Sequence, residues 1–249
     1  MVNTAIQLYT LHDFDVSEPT KIHIASETEV DGVELEFWGF PPDSTMNALE
    51  ETNLDVAALS VGREDIEESI DEIERSCNAL DCDTVILGHL SEEAFESAHA
   101  TKETAATLSE FSKQFRERGL ELLYHTHRHE FASLGDRTHF DLLLEEVDDS
   151  VKFELDLGWV GVAGVDPYEL LETVGDRVPS IHLKDMDFET EAFVNLGEGD
   201  LDVERAAMTA IDEGVDWLVY EHEDPSDPVE SVVTGASKLE KFKRLTTTR

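Results

Sequence analysis

The sequence predicts an α/β protein of the (β/α)8 class, folded as a single domain over residues 1–249. Eight short apolar runs alternate with eight longer segments of helical period, the pattern of a parallel α/β protein. No Pro/Gly/Ser-rich linker interrupts that alternation. A chain of 249 residues is long enough for one large barrel or for two ordinary domains, so the unbroken alternation carries the choice of one. An open, doubly wound sheet is the alternative with the same strand count.

Taken in order, strands are expected at residues 4–9, 32–36, 54–60, 84–88, 120–125, 152–156, 180–183 and 217–221. Helices are expected at 19–28, 44–52, 65–80, 102–118, 141–147, 167–174, 202–213 and 228–245. The third helix contains IEESIDEIERSCNAL (66–80), where acids interleave with periodic apolar residues as on a solvated helix face. Gly119 and Gly214 end helices ahead of strands. Asp166-Pro167 and Asp227-Pro228 each offer a capping carboxylate followed by proline at the first helical position. No Gly-x-Gly-x-x-Gly follows the first strand, and no Gly-x-x-x-x-Gly-Lys occurs, so the nucleotide-binding open sheets lack their chemistry here.

Against 18 Lys plus Arg stand 58 Asp plus Glu, a net charge of −40 that repels phosphate backbones and disfavours nucleic acid as a partner. The excess of acid and scarcity of lysine resemble proteins of salt-loving microbes, where salt screens self-repulsion across an acidic surface; instability at low salt is the expectation. No apolar run approaches the ~18 residues of a membrane span. The start, MVNTAIQLYTL, shows no basic region and cleavage site, so a soluble, cytoplasmic protein is expected. Cys77 and Cys82 support neither a disulfide framework nor a multi-cysteine metal site and are read as buried thiols. A homo-oligomer is left open.

In a closed barrel the functional residues gather where the strands end. The fifth strand ends in His125, followed by His127, His129 and Glu130 in YHTHRHEF (124–131); the sixth ends in Asp156 within FELDLGWV. The seventh carries His182 within SIHLKDMD, and the eighth ends in Glu221 within YEHED. Imidazoles and carboxylates without cysteine suit one divalent ion (Mn2+, Zn2+, Mg2+ or Co2+) in an open catalytic site. Each histidine alone would read as an ordinary satisfied polar residue. Asp156, His182 and Glu221 together, each closing a strand, are read as metal ligands.

The chain resembles the xylose-isomerase-like TIM-barrel superfamily of sugar and sugar-phosphate isomerases and epimerases, in the branch with a Tyr-His-x-His-x-x-Glu-Phe segment. The resemblance is carried by YHTHRHEF, by ELDLGWVGVAGVDPYELLETVGDRVPSIHLKDMD (154–187), by Gly197-Glu198-Gly199-Asp200-Leu201-Asp202 and by VYEHED (219–224). It implies a TIM barrel with one divalent metal held by Asp156, His182 and Glu221. The fourth ligand is usually a glutamate closing the fifth strand. Here His125 stands there, and Glu130 is expected to return to the metal while His125 and His127 face the substrate. Trp159 replaces a histidine common among epimerase relatives; it reads as a stacking wall for a sugar face or as an ordinary packed aromatic.

The implied chemistry removes a C–H proton beside a carbonyl and stabilises the resulting enediolate by Lewis-acid polarisation. Glu130, Glu221, His125 and His127 are the candidate acids and bases. Glu36, Trp38, Trp159, Lys184 and Glu198 are candidate substrate contacts, with His89 and Arg128 further ones. Lys184 could orient a hydroxyl, carboxylate or phosphate, or be a surface lysine paired with Asp185. With no glycine-rich phosphate cradle, a non-phosphorylated or singly anchored sugar or keto-sugar is expected. The leading function is a metal-dependent isomerase or epimerase. A keto-sugar or inosose dehydratase or lyase, an endonuclease-IV-like enzyme and a non-catalytic sugar-binding module follow.

Overall fold

A computed structural model describes residues 2–247 of the chain. Eight parallel strands close into a barrel: β1 (Asn3–Gln7), β2 (Gly32–Glu36), β3 (Asp55–Val61), β4 (Thr84–Leu87), β5 (Glu121–His125), β6 (Lys152–Asp156), β7 (Ser180–Leu183) and β8 (Trp217–Tyr220). Each strand pairs with its neighbours in sequence, and β8 closes on β1 with Val219 beside Ala5. This closure excludes the open sheet. The one register irregularity recorded between barrel strands lies at Val33/Glu34, where β2 meets β3.

The helices are α1 (Glu18–Ser26), α2 (Asp43–Thr52), α3 (Arg63–Leu80), α4 (Ala98–Arg116), α5 (His139–Glu146), α6 (Leu157–Val162), α7 (Pro167–Val174), α8 (Val203–Asp212) and α9 (Pro228–Thr247). Local chemistry explains where they differ from expectation. The first strand stops at Gln7 because residues Leu8–Leu11 turn into a 3-10 helix, whose Tyr9 N–H donates to the Gln7 side chain at 3.0 Å. Helix α4 starts ahead of residue 102 because Ser97 Oγ accepts from Ala100 N at 3.1 Å. Asp166 and Asp227 accept backbone N–H groups of the helices they precede, as expected. Short ribbons pair 133–134 with 137–138 and 185–187 with 192–194.

Strand alternation places the site. Leu122, Tyr124, Phe153, Leu155, Ile181, Leu183, Leu218 and Tyr220 face outward and join the apolar core packed under the helices. Their alternates His125, Glu154, Asp156, His182 and Val219 therefore face the lumen. Burying Tyr124 and Tyr220 outward thus aims ionisable groups inward from strands that read as apolar. Cys77 and Cys82 are buried free thiols. Among the described residues no helix is long and apolar enough to cross a membrane.

Candidate active site

A chain of polar contacts crosses the lumen from β1 to β5. Gln7 Nε2 donates to Glu34 Oε1, and Glu34 Oε2 lies 3.4 Å from His182 Nε2. The same His182 nitrogen is 3.2 Å from Glu154 Oε2, which lies 2.8 Å from His125 Nδ1. Ser180 Oγ donates to the other Glu154 oxygen at 2.7 Å, and Glu221 Oε2 lies 3.1 Å from His182 Nδ1.

Crowding separates the acidities of these carboxyls. Burial, reinforced by the nearby Glu154 charge, pushes Glu34 up to about 8, so it is protonated at neutral pH. Burial would also raise Glu154, but the His182 charge and the His125 hydrogen bond bring it down to about 2. Burial disfavours the imidazolium of His182, yet the Glu154 and Glu221 carboxylates hold its pKa well above the usual histidine range.

Lys184 is 1% exposed, not a surface residue. Its Nζ lies 2.7 Å from Asp156 Oδ2, 2.6 Å from Glu221 Oε2 and 2.6 Å from Glu223 Oε1. The Glu221 carboxyl, which burial alone would raise, is held well below the usual range by the charges of Lys184 and His182. Asp156 divides its oxygens: Oδ1 caps α6 by accepting from Gly158 N at 3.0 Å and Trp159 N at 3.1 Å, while Oδ2 faces Lys184. Gly158 is required by close approach, since a Cβ there would lie 2.8 Å from the Lys184 carbonyl oxygen.

Two buried groups could hold a divalent ion: Asp156, His182 and Glu221, and His125, Glu154 and His182, the donor atoms of each lying within 4.8 Å of one another. Nitrogen and carboxylate oxygen without sulfur fit such an ion. The first group is the expected one. The second includes Glu154, which sequence reasoning missed. His125, Glu154, His182 and Glu221 line a cavity of about 520 Å³ at the strand ends, whereas Asp156 lies behind Lys184. A cation on Asp156 and Glu221 therefore shares them with the ammonium.

Glu130 is not brought to either group. Tyr124 Oη donates to its Oε1, and His127 N donates to its Oε2 at 3.0 Å. Tyr124 and His125 are consecutive on β5 and point to opposite faces, so a carboxylate fastened to Tyr124 stays in the outer layer. His127 lines the cavity, with its ring centroid 5.0 Å from those of His89 and His125. Burial, then the charge of His125, lowers the pKa of both His127 and His89, leaving neutral imidazoles. Buried His127 Nδ1 has no hydrogen-bond partner.

Glu36 and Trp38 line the cavity, Trp38 at 82% exposure on its rim. Trp159 does not line it: it packs 5.7 Å from Lys184 Nζ and edge-on to Phe193. Glu198 faces a separate side cavity with His222, and Arg128 pairs with Glu191 at 2.5 Å. The 197–199 turn is instead tied to Asp185, whose Oδ2 accepts from Gly197 N at 2.7 Å and Gly199 N at 3.0 Å. Besides Glu154, sequence reasoning missed Gln7, Glu34, Asp65 and Glu223. The available signal was an acid two residues before each candidate in GVELE and KFELD, hence on the same strand face.

A family model for the xylose isomerase-like TIM barrel matches residues 22–242. No curated protein sequence matches the chain. Among solved structures, a sugar phosphate isomerase/epimerase from Parabacteroides distasonis superimposes with a TM-score of 0.79 at 18% identity, covering 96% of this chain and 98% of that one. A probable 3-DHS dehydratase involved in petrobactin synthesis from Bacillus anthracis gives 0.75 at 15%, covering 96% and 99%. A D-allulose 3-epimerase from Methylomonas sp. gives 0.76 at 13%, covering 97% and 98%.

Proposed function

The chain belongs to the xylose isomerase-like TIM-barrel family, and on that premise we propose that it is a divalent-metal-dependent isomerase or epimerase of sugars. The observation that carries the reading is the buried meeting of Asp156, His182 and Glu221, from three successive strand ends, beside a cavity of about 520 Å³. These three residues would hold the ion. When bound, it supplies Lewis acidity to the oxygens of a hydroxy-carbonyl substrate.

The chain's own groups do the rest. His125 and Glu221 flank His182 and form the acid/base pair that takes a proton from the carbon beside the carbonyl and returns it. Glu154 fixes the orientation of His125 by binding Nδ1, which leaves Nε2 to exchange the proton. Lys184 keeps Glu221 ionised and so able to act as a base. His89 and His127, both neutral, offer hydrogen bonds to substrate hydroxyls, and Trp38 offers an aromatic face at the rim. The test is metal analysis of the purified protein, followed by deuterium uptake from D2O into a panel of keto-sugars. Exchange that persists in Asp156→Asn or Glu221→Gln refutes the reading.

A dehydratase or lyase is the second reading, favoured by the Glu154–His125 pair. Carboxylate-oriented, the imidazole can protonate a departing β-substituent after the same proton abstraction. Release of water or an alcohol from the substrate, in place of epimer formation, selects it.

A further inference from the structure

We propose that this cavity takes an uncharged polyhydroxylated carbonyl compound and rejects sugars that carry phosphate. The proposal deepens, and rests on, the reading of the cavity as a sugar site. Six carboxyl groups line it, from Glu34, Glu36, Asp65, Glu154, Glu221 and Glu223. Among the described residues Lys184 is the only lysine or arginine in the lining. An ammonium has three hydrogens to donate, and three carboxylate oxygens already stand within 2.7 Å of Lys184 Nζ. Lys184 therefore balances internal charge and has no donor left for a phosphate. With Glu34 protonated, the five remaining carboxylates still outnumber by one the charges of Lys184, the His182 imidazolium and a bound divalent ion.

The backbone tells the same story at the positions where barrels commonly bind phosphate, the loops after the seventh and eighth strands. After β7, Gly197 N, Gly199 N and Leu201 N all donate to the Asp185 carboxylate, at 2.7, 3.0 and 3.1 Å. After β8, Glu230 N donates to Asp227 at 3.0 Å. At the cavity wall, Gly62 N ahead of α3 donates to Asp65 at 2.8 Å. The chain's own carboxylates thus occupy N–H groups that would otherwise attract an anion. Arg63 and Arg128, the nearby arginines, pair with Glu67 and Glu191. What remains for a ligand is neutral: the His89 and His127 imidazoles, with the His127 Nδ1 valence unfilled, and Tyr9 and Ser60. Such groups hydrogen-bond hydroxyls.

The test is calorimetric titration of the Mn2+-loaded protein with matched pairs, ketopentoses, ketohexoses and keto-inositols against their phosphate esters, at low and molar salt. The expected result is at least about tenfold weaker binding of each ester, with the gap narrowing in high salt and in the double variant Glu36→Gln/Asp65→Asn. An ester that binds as tightly as its parent overturns the proposal. A ligand-free measurement covers the case in which no pair binds. The Trp38 fluorescence, taken as the difference from Trp38→Phe, should be quenched by neutral acrylamide far more than by iodide, and iodide quenching should rise in the double variant. Iodide quenching that is unchanged in the double variant overturns it too. If neutral sugars bind in preference to their esters yet none exchanges deuterium, the catalytic reading fails and this one stands.

Discussion

Replacing Glu130 by glutamine separates a structural carboxyl from a metal ligand. In the wild-type fold, burial lifts the Glu130 pKa from 4.5 to about 7, against the opposing hydrogen bonds of Tyr124 and the backbone. A carboxyl raised in the folded state contributes its stability fully below about pH 4.5 and loses it as the pH climbs through about 7, a difference worth about 3 kcal/mol. Glutamine does not titrate. Its carbonyl can accept from His127 N and its amide can donate to Tyr124 Oη, at a pH-independent cost of about 1 kcal/mol for the rearranged hydrogen bonds. The assay is urea unfolding of both proteins at fixed molar salt from about pH 4 to about pH 8, with linear extrapolation. The variant should gain about 3 kcal/mol relative to wild type across that range, while keeping its affinity for divalent ions. A stability difference flat with pH refutes the burial argument. A drop of more than about 100-fold in metal affinity, beyond what an outer-shell change costs, would return Glu130 to the metal shell.

Three further outcomes are expected. Asp156→Asn and Glu221→Gln should each weaken divalent binding by more than about 100-fold in calorimetry, since outer-shell changes alone cost about 10–100-fold. Lys184→Met should leave Asp156, Glu221 and Glu223 uncompensated and lose about 3–5 kcal/mol of unfolding free energy in chelator, with most of it recovered on adding Mn2+ or Mg2+. The unfolding midpoint of the wild type should rise between low and molar salt, because screening relieves the repulsion of a −40 chain; an unchanged midpoint refutes that.

The barrel and most of its elements were legible in the sequence because periodicity reports which side of an element is buried. The strands at 32–36, 152–156 and 180–183 begin and end where the alternation places them. The meeting of Asp156, His182 and Glu221 was legible for a related reason: polar residues at the ends of successive apolar strands converge at one end of a barrel. Glu34 and Glu154 were harder to see, since inside a strand a single acid reads as an interruption of the apolar run. Only the closed lumen shows them meeting the same imidazole.

By itself the sequence determined the fold class, the acidic character and the strand ends at which buried ionisable side chains gather, because each follows from local composition and spacing. The tertiary structure decided where the long and loop-borne side chains go. Glu130 sits five residues past His125, near enough in sequence to reach the lumen, yet Tyr124 on the opposite strand face claims it. Lys184 could be a surface lysine by composition, but β7 carries it inward between carboxylates from β6 and from the residues after β8. Spacing restricts a strand residue to one of two faces. Beyond a strand's end, side-chain placement depends on partners distant in sequence, which only the folded barrel brings together.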